Sequence, residues 1–189
     1  MLKKILSDME LTDDECSIVV YGLRRLAMFV LSILVTFIIG MATGTTRELF
    51  FFLLLFIPLR IFAGGLHLPS LRLCAMTSSL LIIFVAVFTK AVNKDIICLP
   101  WYVYTSILAS TIIIVLAPVD TDSKILYGHE KKKYKLIAVI LTLAELLICI
   151  CFDISGKIKL LAFLSIATES IYLLIQSIVN YIKKENEWK

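Results

Sequence analysis

The sequence predicts an all-α integral membrane protein, with about six transmembrane helices, a broken or re-entrant segment at 58–72 and an N-terminal amphipathic helical region. Three observations carry that prediction. Hydrophobic residues make up 60% of the 189 and mean hydropathy is +0.95, whereas soluble domains hold roughly 45–50% apolar residues. One soluble core cannot hide that much apolar surface, so lipid must cover much of it. The apolar residues also fall into six runs separated by short charged segments. Between the second and third runs lies a polar island carrying two glycines, a proline, a histidine and a cysteine, from Arg60 to Cys74.

Taken in order, residues 1–23 set Ile5, Met9, Leu11, Ile18 and Val19 among lysines and acids, a pattern for one or two interfacial helices on the cytoplasmic leaflet. A loosely ordered tail is the alternative. Thr12 followed by Asp13, Asp14 and Glu15 reads as a helix start. No cleavable signal peptide is expected, because no apolar stretch precedes a small-residue cleavage site in this charged region. Spans follow near 26–44, 49–62, 73–89, 99–119, 136–152 and 158–181. A bilayer core of about 30 Å takes about 20 helical residues, which four of these fit directly. The second run is short and contains Pro58 and Arg60, so it is predicted to kink or end early. The third fits if its helix begins near Ser70. Residues 1–189 are read as a single polytopic domain, with no internal repeat.

Orientation follows from lysine and arginine placement. With a cytoplasmic N-terminus, fourteen of the 19 basic residues fall inside, among them Arg24, Arg25, Arg60, Arg72, Lys131, Lys132, Lys133, Lys183 and Lys184. Only Arg47, Lys90, Lys94, Lys157 and Lys159 fall outside. Both termini and the island are therefore expected in the cytoplasm of a multi-pass cell-membrane protein. The net charge of +4 suggests anionic headgroups of membrane lipid as partner rather than nucleic acid, because the basic residues flank apolar runs. Lys131-Lys132-Lys133, in the long polar connection from Asp120 to Lys135, reads either as a membrane-edge anchor or as a grip for an acidic peptide. The five cysteines lack metal-ligand spacing, and no cofactor or metal is expected. Cys149 and Cys151 fall inside a span as small apolar residues.

The island carries the chemistry. His67 and Cys74 are seven residues apart, about 10 Å along an unbroken helix, too far for the roughly 3 Å that proton transfer needs. A dyad therefore requires the chain to fold back. Gly64-Gly65 permits backbone shapes closed to other residues, and Pro69 disfavours helix at Leu68. Ser70 can then cap a new helix, placing Cys74 in or just past its first turn, where the dipole favours a thiolate. His67 would accept the thiol proton and Cys74 would attack a peptide carbonyl. Backbone amides near Gly64 and Gly65, or at the start of the third span, would hold the oxyanion. No residue is evident that would orient His67.

The run Arg60-x3-Gly64-Gly65-x-His67-x6-Cys74 in a six-span chain of this length resembles the accessory gene regulator B family. So do Ala117-Pro118-Val119-Asp120-Thr121, at the end of the fourth span, and the basic loop after it. Lys124-Ile-Leu departs from the proline that family members often carry there. The resemblance implies a membrane cysteine endopeptidase with His67 and Cys74 as its catalytic pair. Its substrate would be a short, AgrD-like quorum-sensing propeptide, and its product a cyclic thiolactone or lactone. Arg60, Arg72 and Lys131–Lys133 become candidates for binding that propeptide, and a homodimer is left open.

A membrane peptide transporter or exporter without covalent chemistry is the competing reading. It rests on Glu145 and Glu169, each near the middle of a span, where carboxylates are costly and often functional. A carboxyl packed against another helix is the plainer explanation, and no lysine or arginine is expected at their depth. A non-catalytic membrane scaffold would instead make His67 and Cys74 dispensable.

Overall fold

The computed structural model describes residues 13–64, 71–92, 100–119, 128–150 and 155–187. They form six α-helices, α1 (Asp13–Thr43), α2 (Thr46–Ala63), α3 (Leu71–Ala91), α4 (Pro100–Leu116), α5 (Gly128–Ile150) and α6 (Gly156–Glu187). Among the described residues the only β contact is an isolated bridge between Gly64 and Val119. By length and apolarity, Leu73–Ala91 and Gly156–Glu185 can each cross a membrane, while Phe29–Thr43 and Trp101–Leu116 are shorter apolar helices.

Several boundaries differ from expectation. The helix begins at Asp13, beside the Thr12 signal, and runs unbroken into the first apolar run, so the second half of the amphipathic region is the first turns of α1. Pro58 does not end α2, which continues to Ala63. Leu59 and Ala63, both fully buried beyond the proline, pack into the core and keep that last turn in place. The fifth helix begins at Gly128, so the lysine cluster expected in a loop lies on the helix.

α2 and α6 are the central pair. The buried side of α2, Leu49, Phe52, Leu53, Phe56, Leu59 and Ala63, recurs every three or four residues, the spacing of one helical face. One core lies among α2, α4, α5 and α6, with Leu59, Ile113, Ala138 and Ile166 at its centre. A second joins α2, α3 and α6 through Phe52, Phe56, Val85 and Leu161. Outward faces stay apolar, as at Ile38, Leu54, Leu80, Leu108, Val115 and Leu147, all well exposed. An exposed apolar belt on every helix suits lipid rather than water.

Ion pairs set the direction of the central helices. Lys157 Nζ donates to Glu48 Oε1 at 2.9 Å, and Arg60 Nη1 donates to Glu169 Oε2 at 3.4 Å. Both pairs span a sequence separation of 109, so α2 and α6 run parallel and in register. Tyr102 Oη donates to the Lys159 carbonyl at 2.6 Å, which sets the start of α4 beside the start of α6. α2, α4 and α6 thus point one way. α5 points the other way, because Cys149 Sγ near its end meets the same Lys159 carbonyl at 3.8 Å. The turn between α1 and α2 uses Gly44 at φ +68 with no neighbour near its missing Cβ, and the Thr45 N–H donates to the Gly40 carbonyl at 3.0 Å.

Candidate active site

α2 stops at Gly64. Its φ of +89 and ψ of −142 lie in a region that side chains rarely tolerate. A Cβ there would also come within 2.6 Å of the Val119 carbonyl oxygen. The Val119 N–H donates to the Ala63 carbonyl at 3.1 Å, and the Gly64 N–H to the Arg60 carbonyl at 3.2 Å. Val119 follows the cis Ala117-Pro118 bond at the end of α4. The glycine is thus required because two backbone segments meet. Those are the two stretches, Arg60-to-Cys74 and Ala117-to-Thr121, that carried the family resemblance. The Gly64 amide closes the helix, so of the two glycines named as oxyanion donors it is the one already committed elsewhere. Gly65, His67, Pro69 and Ser70 lie outside the described residues, as does the side chain of Arg72.

Cys74 is the fourth residue of α3, in its first turn, as expected. The side chain is a free thiol of intermediate burial. It lines a cavity of about 180 Å³ enclosed by α1, α2, α3 and α6. Apolar walls come from Phe29, Leu53, Phe56 and Ile82, and hydroxyls from Thr36 and Ser78. Arg60 and Tyr172 face the same space. The Arg60 guanidinium carbon lies 4.5 Å from the centre of the Tyr172 ring and 5.9 Å from that of Phe56, within cation–π range. Arg60 is thus brought together with Cys74.

Lys131, Lys132 and Lys133 are exposed at the start of α5, away from the cavity lining. Tyr134, next in sequence, packs its ring 5.3 Å from that of Phe62 near the end of α2. The cluster is therefore at the end of the molecule where Gly64 lies, flanking the site without entering it.

Glu169 corrects the expectation that no basic residue reaches the intramembrane carboxylates. Its side chain is fully buried and pairs with Arg60, whose side chain is 28% exposed. Glu145, 3% exposed, is likewise buried, and its Oε2 has no hydrogen-bond partner among the described residues. Glu169 is thus engaged by the helix that leads to the Cys74 site. A usable signal was present in the sequence. Glu48 and Arg60 are twelve residues apart, as are Lys157 and Glu169, with the charges in opposite order.

Residues 1–180 match the family model described as accessory gene regulator B. An AgrB-like protein of Clostridium perfringens (strain SM101 / Type A) is 26% identical over 175 residues, covering 87% of this chain and 81% of the relative. An AgrB-like protein 2 of Clostridium perfringens (strain 13 / Type A) is 25% identical over 136 residues, 69% of this chain and 63% of the relative. No solved structure matches the chain. With the family model spanning nearly the whole sequence, the chain belongs to the accessory gene regulator B family, membrane-associated, protease-like processing enzymes that act with an AgrD-like propeptide in quorum sensing.

Proposed function

We propose that this protein is a membrane-embedded cysteine endopeptidase that cleaves a short quorum-sensing propeptide through a Cys74 acyl-enzyme and promotes cyclisation of the retained fragment. The observation that carries the reading is Cys74 in the first turn of α3, facing a recessed cavity that it shares with Arg60. In this reading all six helices cross the bilayer, alternating in direction, with both termini and the site toward the cytoplasm. Glu169 is twelve residues beyond Lys157 on α6, about 18 Å along the axis at 1.5 Å per residue. With Lys157 at the outer edge of a core about 30 Å thick, the Arg60 level lies inside the membrane, nearer the cytoplasmic face.

His67 takes the Cys74 thiol proton, and the thiolate sulfur attacks the scissile carbonyl carbon. Collapse of the tetrahedral intermediate breaks the C–N bond, and His67 returns the proton to the departing amine. Gly65 and the first amides of α3 remain as oxyanion donors. The thioester keeps its acyl energy, so a thiol or hydroxyl of the same peptide can displace Cys74 and close a thiolactone or lactone ring. A largely apolar cavity that kept water out during the reaction would favour that exchange over hydrolysis. Arg60, Arg72 and Lys131–Lys133 recruit the propeptide, the lysines by steering an acidic segment toward the site.

The test is purified protein in liposomes with a synthetic propeptide, followed by mass spectrometry. Cys74 is expected to carry the N-terminal fragment as an acyl adduct. Cys74→Ala and His67→Ala should both abolish cleavage while inserting normally. Continued processing by Cys74→Ala would sink the enzyme assignment.

A further inference from the structure

We propose that Glu169 is a positioning residue of the Cys74 site, holding the Arg60 guanidinium at the cavity wall so that it binds acceptor oxygens of the peptide beside the scissile bond. This rests on the endopeptidase reading and extends it to a residue on the last helix.

Three observations support it. The pair is asymmetric, since the Glu169 side chain is completely buried while that of Arg60 is 28% exposed and lines the cavity that Cys74 lines. The carboxylate thus grips the guanidinium from the protein side and leaves it facing the cavity. Second, the guanidinium is held by Glu169 Oε2 at 3.4 Å and lies over the Tyr172 face at 4.5 Å. Tyr172 and Glu169 are three residues apart on α6, adjacent on one helical face. Third, helix-to-helix attachment alone does not require this pair. Apolar residues of similar volume often replace a buried ion pair without loss of stability, and Glu48 with Lys157 already fixes the register of α2 against α6. Glu169 Oε1, buried and without a hydrogen-bond partner among the described residues, is available to complete a bidentate fork when the guanidinium tightens around a substrate oxygen.

The experiment uses the full chain in liposomes with the synthetic propeptide, comparing the parent with Glu169→Ala, Glu169→Gln and Cys74→Ala. Glu169→Ala is expected to raise KM about tenfold, the scale of one hydrogen bond to a charged group, with a smaller change in kcat. Alkylation of Cys74 by neutral iodoacetamide should match the parent, while the Tm falls, because removing one partner of the pair leaves the Arg60 charge uncompensated. Glu169→Gln, which keeps an acceptor oxygen at the same reach, should restore KM to within about threefold of the parent. A parent KM in Glu169→Ala, or a Gln variant as impaired as Ala, would overturn the proposal. Should the Ala variant fail to insert, Glu169→Asp decides, because its oxygens are withdrawn by one methylene. A raised KM with parent Cys74 alkylation upholds the role, and a parent KM refutes it. Processing by Cys74→Ala would bring down the endopeptidase reading itself, whereas an inactive Cys74→Ala beside an unaffected Glu169→Ala would refute only the positioning role.

Discussion

Gly64→Ala isolates the backbone contact on which the site is built. The substitution puts a Cβ at φ +89, where the nearest atom, the Val119 carbonyl oxygen, lies at 2.6 Å. The conformation alone costs about 1–3 kcal/mol for a residue with a side chain. Relief of the overlap requires Val119 to retreat, which loses the hydrogen bond from Val119 N–H to the Ala63 carbonyl, about 1 kcal/mol more. Together that is about 2–4 kcal/mol, enough to lower Tm by at least about 4 °C in a chain of this size. His67 is three residues downstream and Cys74 ten, so a shift at Gly64 misplaces the dyad, and about 1 Å of misplacement can cost a hundredfold in rate. Gly44→Ala is the control. Gly44 also has a positive φ, +68, yet nothing lies within 4 Å of its Cβ position, and it is at the opposite end of α2. It should lose about 1–2 kcal/mol of stability and keep parent cleavage. Tm and single-turnover cleavage of both variants in one liposome preparation make the measurement. Equal cleavage by Gly64→Ala and Gly44→Ala would refute the claim that the Gly64–Val119 contact shapes the site.

Neutralising Lys131, Lys132 and Lys133 together to Gln should raise KM more than it lowers kcat and flatten the salt dependence, because exposed charges act mainly by steering that salt screens. An unchanged KM and salt slope in a correctly inserted protein would reduce the cluster to a membrane anchor. Cys74 should resist a membrane-impermeant maleimide in right-side-out cells and react in inverted vesicles, and the reverse pattern would overturn the proposed orientation. Glu48, in the first turn of α2, is held below the ordinary glutamate value, chiefly by its hydrogen bond from Lys157. A lowered folded-state value means that the pair stabilises above the usual glutamate range and is lost as pH falls through the folded value. Lys157 is more than half exposed, so the effect is at most about 1 kcal/mol. Lys157→Met should remove that acid-side decline in Tm, and an identical decline in both proteins would assign it to other carboxylates.

Features legible in the sequence were those decided within a few residues. The apolar runs, the helix start beside Thr12, the glycine break at Gly64 and Cys74 in the first turn of α3 follow from local backbone preference and from the hydrophobic length a helix needs. The site itself required tertiary structure. Pro58 reads locally as a stop, yet the burial of Leu59 and Ala63 carries α2 through it. Glu169 reads as an isolated charge until the parallel register of α2 and α6 sets it against Arg60, 109 residues away. Gly64 reads as a point where the chain can take backbone shapes closed to other residues, whereas the approach of Val119 makes it a tightly packed contact. In each case the deciding partner is distant in sequence, and neither propensity nor hydropathy carries information about which helix faces fill one another's grooves.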